Sequence, residues 1–405
     1  MRFMDFLLLG LLALILPLKQ AAGQECALEE ETELYHRISS SDAEQRPIFS
    51  WLDSDNGISL KPTYYGEVFT NAHGGIATKN STHYEGLLDL LLSVDFEKMQ
   101  LPIPGRVSLL AQNTHGRGLT QDYIRATQII SNIDSFDNMT QISELWWEFG
   151  LFDNNITIRL GKQDLNTEFL IMDSASDFIN SAFGLSPSAG LPSYPNPSPA
   201  AVLLTDLTPS LGFKFGLWDA FRSNGNGIFS RNGAALFISE LEYKYTTPSS
   251  QLPGQISVGM TYETSGNVPA GTIPRAFGFY IQFEQLLFRE ANSTESKPQG
   301  LSFFAQHFPT NTSGNSPFPA IPEDGLAGFT YTGLLRGCDD DVAGVGVGWV
   351  KLEQGGTDQE LMVELFYKAK VNSTMTIQPD IQYINTPSGI HPDALLVGIR
   401  VQLDL

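Results

Sequence analysis

Period-two alternation of apolar and polar side chains runs through most of this chain, and it limits the fold more than any other feature of the sequence. Successive side chains on a strand point to opposite faces, so alternation marks strands with one apolar and one polar face. At the C-terminus, Leu395, Val397, Ile399, Val401, Leu403 and Leu405 share one face, and Leu396, Gly398, Arg400, Gln402 and Asp404 share the other. Phe277, Phe279, Ile281 and Phe283 likewise oppose Gly278, Tyr280, Gln282 and Glu284. Leu145, Trp147 and Phe149 oppose Glu144, Trp146 and Glu148, and Asp153-Asn154-Asn155 turns the chain into Ile156, Ile158 and Leu160. Such segments number about fifteen from Ile58 to Leu405, and a weaker one near 200–207 makes about sixteen. Each is roughly ten residues long, the length of a tilted strand that crosses a membrane.

Beyond the first residues there is no apolar run of about 18, so helices cannot carry this chain across a bilayer. A closed barrel is the other spanning solution, because its strands satisfy every backbone polar group. A soluble sandwich also alternates. Two details favour the barrel. The polar face carries Gly, Gln, Asp, Arg and Tyr, which suit a narrow aqueous lumen, and aromatic residues sit near strand ends, as interfacial girdles do. Charged residues make up 17% of the chain, below the usual share of about a quarter. The formal net charge of −21 argues against a nucleic-acid partner.

Arg2 followed by the apolar run from Phe6 to Leu18 and by Ala21-Ala22-Gly23 reads as a secretory signal peptide over residues 1–23, cut before Gln24. Residues 24–54 are polar and acidic, with Glu29-Glu30-Glu31, and read as a periplasmic extension or plug, or equally as a flexible tail. Residues 55–405 form the barrel domain. The rhythm breaks twice. Residues 164–199 contain Asp173, Asp177 and five prolines from Pro187 to Pro199, too long for a turn, and predict a loop folded into the pore to constrict it. Residues 308–323, with Pro309, Pro317, Pro319 and Pro322, read as an exposed loop.

Several motifs, taken in order, resemble the OprB family of carbohydrate-selective porins. They are Asn56-Gly57-Ile58-Ser59-Leu60 with Tyr65-Gly66-Glu67, Leu145-Trp146-Trp147-Glu148 with Ile158-Arg159-Leu160-Gly161-Lys162-Gln163-Asp164, Phe169 with Asn180-Ser181-Ala182-Phe183-Gly184 and Tyr194-Pro195, Ile377-Gln378-Pro379-Asp380-Ile381-Gln382-Tyr383-Ile384, and Val397-Gly398-Ile399-Arg400-Val401. The resemblance covers almost the whole chain after the signal. It implies an all-β fold, a transmembrane antiparallel barrel of sixteen strands in the bacterial outer membrane that passes sugars by facilitated diffusion.

Sugar selectivity needs aromatic faces and hydrogen-bonding side chains whose grip is weak enough to release the solute. Lumen parity nominates Trp146, Glu148, Arg159, Gln163, Lys214, Trp218, Glu240, Glu242, Gln378, Asp380, Gln382 and Arg400, with Asp164 at the constriction. Any of these can equally line water or form a wall-to-wall ion pair.

No enzyme or cofactor is expected. Glu240 and Glu242 are neighbours on one strand face rather than a catalytic pair, none of the six histidines has metal-ligand spacing, and Asp339-Asp340-Asp341 reads as a solvated loop tip. Cys26 and Cys338 are free to pair in an oxidising compartment, and the sequence leaves open whether they do. Expected partners are small sugars, outer-membrane lipid and lipopolysaccharide, and the barrel-assembly machinery, with a homo-oligomer left open. Two other readings remain at this point: a general diffusion porin, and a secreted soluble β-domain that binds glycans.

Overall fold

The computed structural model describes residues 56–220, 234–264, 275–291, 293, 299–313, 321–353 and 356–405. The signal segment, the acidic extension and Cys26 lie outside them. The described strands are β1 Ile58–Gly74, β2 Thr82–Asp95, β3 Arg106–Gly116, β4 Met139–Leu151, β5 Ile156–Gln163, β6 Ser198–Thr208, β7 Leu211–Asp219, β8 Ala235–Thr246, β9 Pro253–Glu263, β10 Arg275–Arg289, β11 Gly300–Ser313, β12 Glu323–Thr332, β13 Val342–Lys351, β14 Gln359–Lys370, β15 Met375–Asn385 and β16 Ala394–Asp404. They form a closed barrel in which each strand pairs with its chain neighbours and β1 pairs with β16. All pairings are antiparallel; along the closing seam Tyr64 faces Leu403 and Val68 faces Ile399. Closure leaves no open edge, which removes the two-sheet sandwich from consideration.

The alternation sorts side chains as the sequence predicts. Leu160, Phe215, Leu217, Leu241, Met260, Phe279, Val397 and Ile399 are exposed on the outer face. Arg159, Trp218, Glu240, Gln382 and Arg400, at the opposite parity, are buried inside. The weak segment near 200–207 is β6. At 308–323 the expectation is corrected: β11 continues through Ser313, Phe308 is fully buried, and Phe308 and Pro309 pair with Asp324 and Glu323 of β12. Pro309 has no ladder partner on β10, where the pairing skips from Gly278–Thr310 to Ile281–His307 without a change of register, so its missing N–H leaves no ladder bond unmade.

One end of the barrel carries both ends of the strand array and short turns such as residues 152–155, where Phe152, Asp153 and Asn154 all have positive φ. The other end carries the long connections 117–138 and 164–197. Both fold inward, and the core is where they meet the wall. From the loops come Leu119, Ile124, Ile130, Met172, Phe178, Ile179 and Phe183; from the wall come Phe69, Phe304, Leu326, Met362, Phe366, Ile384 and Leu396. Each fully buried side chain of this size contributes about 1.5–3 kcal/mol. Gly346 of β13 makes room for the docking, since a Cβ there would stand 2.6 Å from the Phe183 ring and 2.8 Å from the Phe178 ring.

The connection 333–341, at the short-turn end, instead folds outward. Leu335 and Cys338 cover Leu365, Tyr367 and Ala369 of β14. Asp341 is therefore no solvated tip: it is buried and accepts hydrogen bonds from the Tyr367 hydroxyl at 2.8 Å and the Lys370 backbone N–H at 3.0 Å. Cys338 is disulfide-bonded.

Candidate functional site: the charged lumen beneath the inward loop

Five strands and the loop 164–197 bring their inward-facing charges into one continuous ladder. Arg106 of β3 binds Glu148 of β4 at 2.9 Å, and Glu148 binds Arg159 of β5 at 2.6 Å. Arg159 also binds Glu168 of the loop at 2.7 Å. The Glu168 carbonyl accepts a 3.0 Å hydrogen bond from Lys214 Nζ on β7. Lys214 sits between two β8 carboxylates, 2.9 Å from Glu240 and 3.2 Å from Glu242, and Glu242 continues to Lys244 at 2.7 Å. Strand geometry explains the run. Glu148 faces Arg159 directly, Lys214 faces Glu240, and alternate residues of β8 stack on one face.

The ladder also holds an aromatic face. The Arg159 guanidinium lies 4.3 Å from the Trp146 ring centroid and the Arg106 guanidinium 5.6 Å, within the range of cation–π attraction. Trp146 Nε1 donates to Glu144 at 2.9 Å, which fixes the ring. Gly161 brings β4 and β5 together beside it: φ is +141°, and a Cβ there would lie 2.2 Å from the Leu145 carbonyl oxygen.

Of the residues nominated from sequence, Trp146, Glu148, Arg159, Lys214, Glu240 and Glu242 meet in this ladder. Of the others, Trp218, Gln378, Gln382, Arg400 and Asp164 grip the loops, while the side chains of Gln163 and Asp380 bond within the wall. Trp218 Nε1 donates to the Gln163 carbonyl at 3.2 Å, and its ring meets Phe169 edge-on at 5.7 Å. Gln378 donates to the Asp177 carbonyl at 2.7 Å, and Gln382 donates to the Ile130 carbonyl at 2.9 Å and to Asp380 at 3.1 Å. Arg400 binds Glu67 at 2.7 Å and reaches Asn132 at 2.8 Å. Asp164 ties the two ends of its loop, accepting from the N–H groups of Asn166 at 2.8 Å and Tyr194 at 2.7 Å. Burial pushes its carboxyl above the usual carboxylate range despite these donors, and does the same to Asp134 in the other loop.

A set of wall carboxylates went unrecognised in the sequence, and each accepts hydrogen bonds from loop backbone. Glu284 accepts from Ser174 at 2.7 Å, and Asp324 accepts from Ser188 at 2.7 Å. Glu364 accepts from Ile179 at 2.6 Å and Asn180 at 2.9 Å, and Glu360 accepts from Thr127 and Gln128, each at 2.8 Å. Their lumen parity was legible; their partners, on aperiodic loop backbone, were not.

Between the two loops lies a cavity of about 1710 Å³, lined by Asn132, Gln141, Asp164, Asn166, Ser193 and Tyr194 among others. It exceeds an ordinary small-molecule pocket of roughly 300–1,000 Å³ and has the size of a vestibule. Gly161 also lines it; Arg159, two residues nearer the short-turn end of β5, places the ladder beyond it along the barrel.

The profile of the family described as carbohydrate-selective porin, OprB family, matches residues 79–405. Porin B of Pseudomonas aeruginosa is 24% identical over 86% of this chain and 87% of its own length. The high-pH structure of Pseudomonas putida OprB superposes with a TM-score of 0.77 at 20% identity, over 87% of this chain and 95% of that one. The low-pH structure of the same protein gives a TM-score of 0.59 at 18% identity, over 87% and 93%.

Proposed function

Because the chain belongs to the OprB family of carbohydrate-selective porins, and is therefore an outer-membrane channel for sugars rather than an enzyme, we propose that sugars pass the ladder from Arg106 to Lys244 and that the loop 164–197 narrows the lumen there. The observation that carries this reading is charge balance around an aromatic face. Arg106, Arg159, Lys214 and Lys244 face Glu148, Glu168, Glu240 and Glu242, so the row offers donors and acceptors without net charge. A neutral polyhydroxylated solute can exchange hydrogen bonds with such a row. Because the charges already satisfy one another, it is held weakly enough to leave. Residues 1–23 serve as the export signal, and the outward face meets lipid and lipopolysaccharide after insertion by the barrel-assembly machinery.

The test is single-channel conductance of refolded protein in a planar bilayer, titrated with mono- and disaccharides. Sugar closes the wild-type channel in discrete steps, and Trp146→Ala and Arg159→Gln raise the half-blocking concentration several-fold. Conductance that ignores sugar sinks the reading.

A further inference from the structure

We infer that the vestibule has a second entrance through the side of the barrel above β5, which admits amphiphiles with a neutral saccharide head and one alkyl chain from the outer leaflet. This rests on the reading of the lumen as a sugar path and adds a substrate class to it. The strand ladder closes around the barrel, but not to one height. The uppermost β4–β5 pair is Leu145 with Lys162. Above it β4 runs on from Glu144 to Met139, paired with β3. β5 ends at Gln163, and the chain turns inward at Asp164. The upper part of β4 therefore has no strand beside it on that side. The cavity runs through this gap. It is lined by Gln141, which faces the lumen, and by Asp164 of the inward loop, but also by Ile142, Leu145 and Lys162, which face outward. Side chains on opposite faces of a sheet border one cavity only where the sheet is interrupted.

Two side chains reach across the gap. Lys162 Nζ donates to the Ile142 carbonyl at 2.8 Å, and Gln141 Nε2 donates to the Pro195 carbonyl at 2.9 Å. Irregular backbone at this depth is tolerated where it borders water-filled space. The gap is also within reach of lipid. The outward positions of β4 stay apolar from Leu151 through Phe149, Trp147 and Leu145 to Ile142, and turn polar at Thr140. That apolar run rises roughly 23 Å at ordinary strand rise and tilt, the height of the apolar band of a membrane barrel, whose long loops face the cell exterior. Ile142 and Leu145 are 51% and 46% exposed. One cavity thus presents amide and carboxyl groups on its inner side and aliphatic side chains on its outer side, at the upper border of the lipid. Lys162 stands on the sill with ammonium protons beyond the one it gives to Ile142. A saccharide head suits the inner side, and its alkyl chain leaves across Ile142 and Leu145.

Two measurements test this on the full chain in lipid bilayers. The first places a photoreactive benzoylphenylalanine at Asn196, which lines the cavity from the loop, and in a second preparation at Gln255, which shares the lumen face of β9 with buried Ser257. After irradiation the chain labelled at Asn196 is expected to carry the mass of a bilayer phospholipid, and the chain labelled at Gln255 is not. No lipid adduct at Asn196, or equal adducts at both, overturns the side entrance. The second compares block of single-channel current by glucose and by hexyl glucoside, added on the long-loop side. Hexyl glucoside is expected to block at a several-fold lower concentration. Ile142→Lys is expected to abolish that gain and to leave the half-blocking concentration of glucose where it was. Equal potency in the wild type, or a gain that survives the substitution, overturns the admission of amphiphiles. Channels that neither solute blocks sink the sugar reading and the amphiphile with it, and the adduct at Asn196 then still separates an open wall from a closed one.

Discussion

Glu168 is the residue on which the ladder turns, because it comes from the loop while every other member comes from the wall. Its carboxylate neutralises Arg159, which is 7% exposed, and its carbonyl receives Lys214. Glu168→Gln keeps the shape and the carbonyl bond and removes one negative charge. Arg159 retains Glu148 at 2.6 Å, so the wall stays intact. A unit charge about 8 Å from a passing ion in water is worth about 0.5 kcal/mol, roughly a two-fold change in the partition of each ion. The expected outcome is a reversal potential displaced toward anion preference by that order, with channels still forming. An unchanged reversal potential means that ions pass elsewhere and separates the ladder from the narrowest point.

At the scale of elements, the inward loop is held less by its own structure than by carboxylates waiting on the wall. Glu364 takes the two N–H groups of Ile179 and Asn180 in a fully buried setting. Glu364→Ala strands both donors, and each unpaired group costs about 1–3 kcal/mol. Together that is about 2–6 kcal/mol, so loop opening rises by at least about thirty-fold, read as faster proteolysis within 164–197 of the folded barrel; an unaltered rate refutes the clamp. Asp164 gives the same loop a pH dependence. Its folded value is raised by burial, so its contribution is fully present below the unfolded value near 3.9 and is lost as pH rises through the raised value. Loop proteolysis should accelerate as pH climbs through that window, and Asp164→Asn, which still offers an accepting oxygen, should flatten the climb. A slope identical to wild type removes Asp164 as its source. These clamps also mark the limit of what the sequence disclosed. The count of about sixteen strands, weak β6 included, was legible because burial on alternate faces imposes a period. The loop 164–197 was legible from its prolines. The loop 117–138 was not: Ile124, Ile129, Ile130 and Ile133 look like strand residues, and only the three-dimensional lumen shows that Ile124 and Ile130 pack inward in one cluster with residues of β1, β14 and β16. Asp341 was misread for a related reason, since nothing in an acidic triplet announces that Tyr367 and Lys370 wait beneath it.

For the molecule as a whole, the question is how a chain of net charge −21 remains a channel for neutral solutes. The ladder itself sums to zero, and the excess carboxylates lie elsewhere: in the N-terminal Glu29-Glu30-Glu31, in the outward connection at Asp339 and Asp340, and under the loops. Their field reaches the lumen only as far as salt allows, about 3 Å at 1 M and about 30 Å at 0.01 M. Selectivity among ions should then be a property of the bath more than of the narrowest point. In 1 M salt the ratio of cation to anion permeability is expected near unity; in 0.01 M salt the distant charges come into range and cations are favoured several-fold. Reversal potentials across a fixed salt ratio, measured at both strengths, decide it. Cation preference that persists undiminished at 1 M places unpaired carboxylates at the narrowest point, and the balanced ladder then lies away from it.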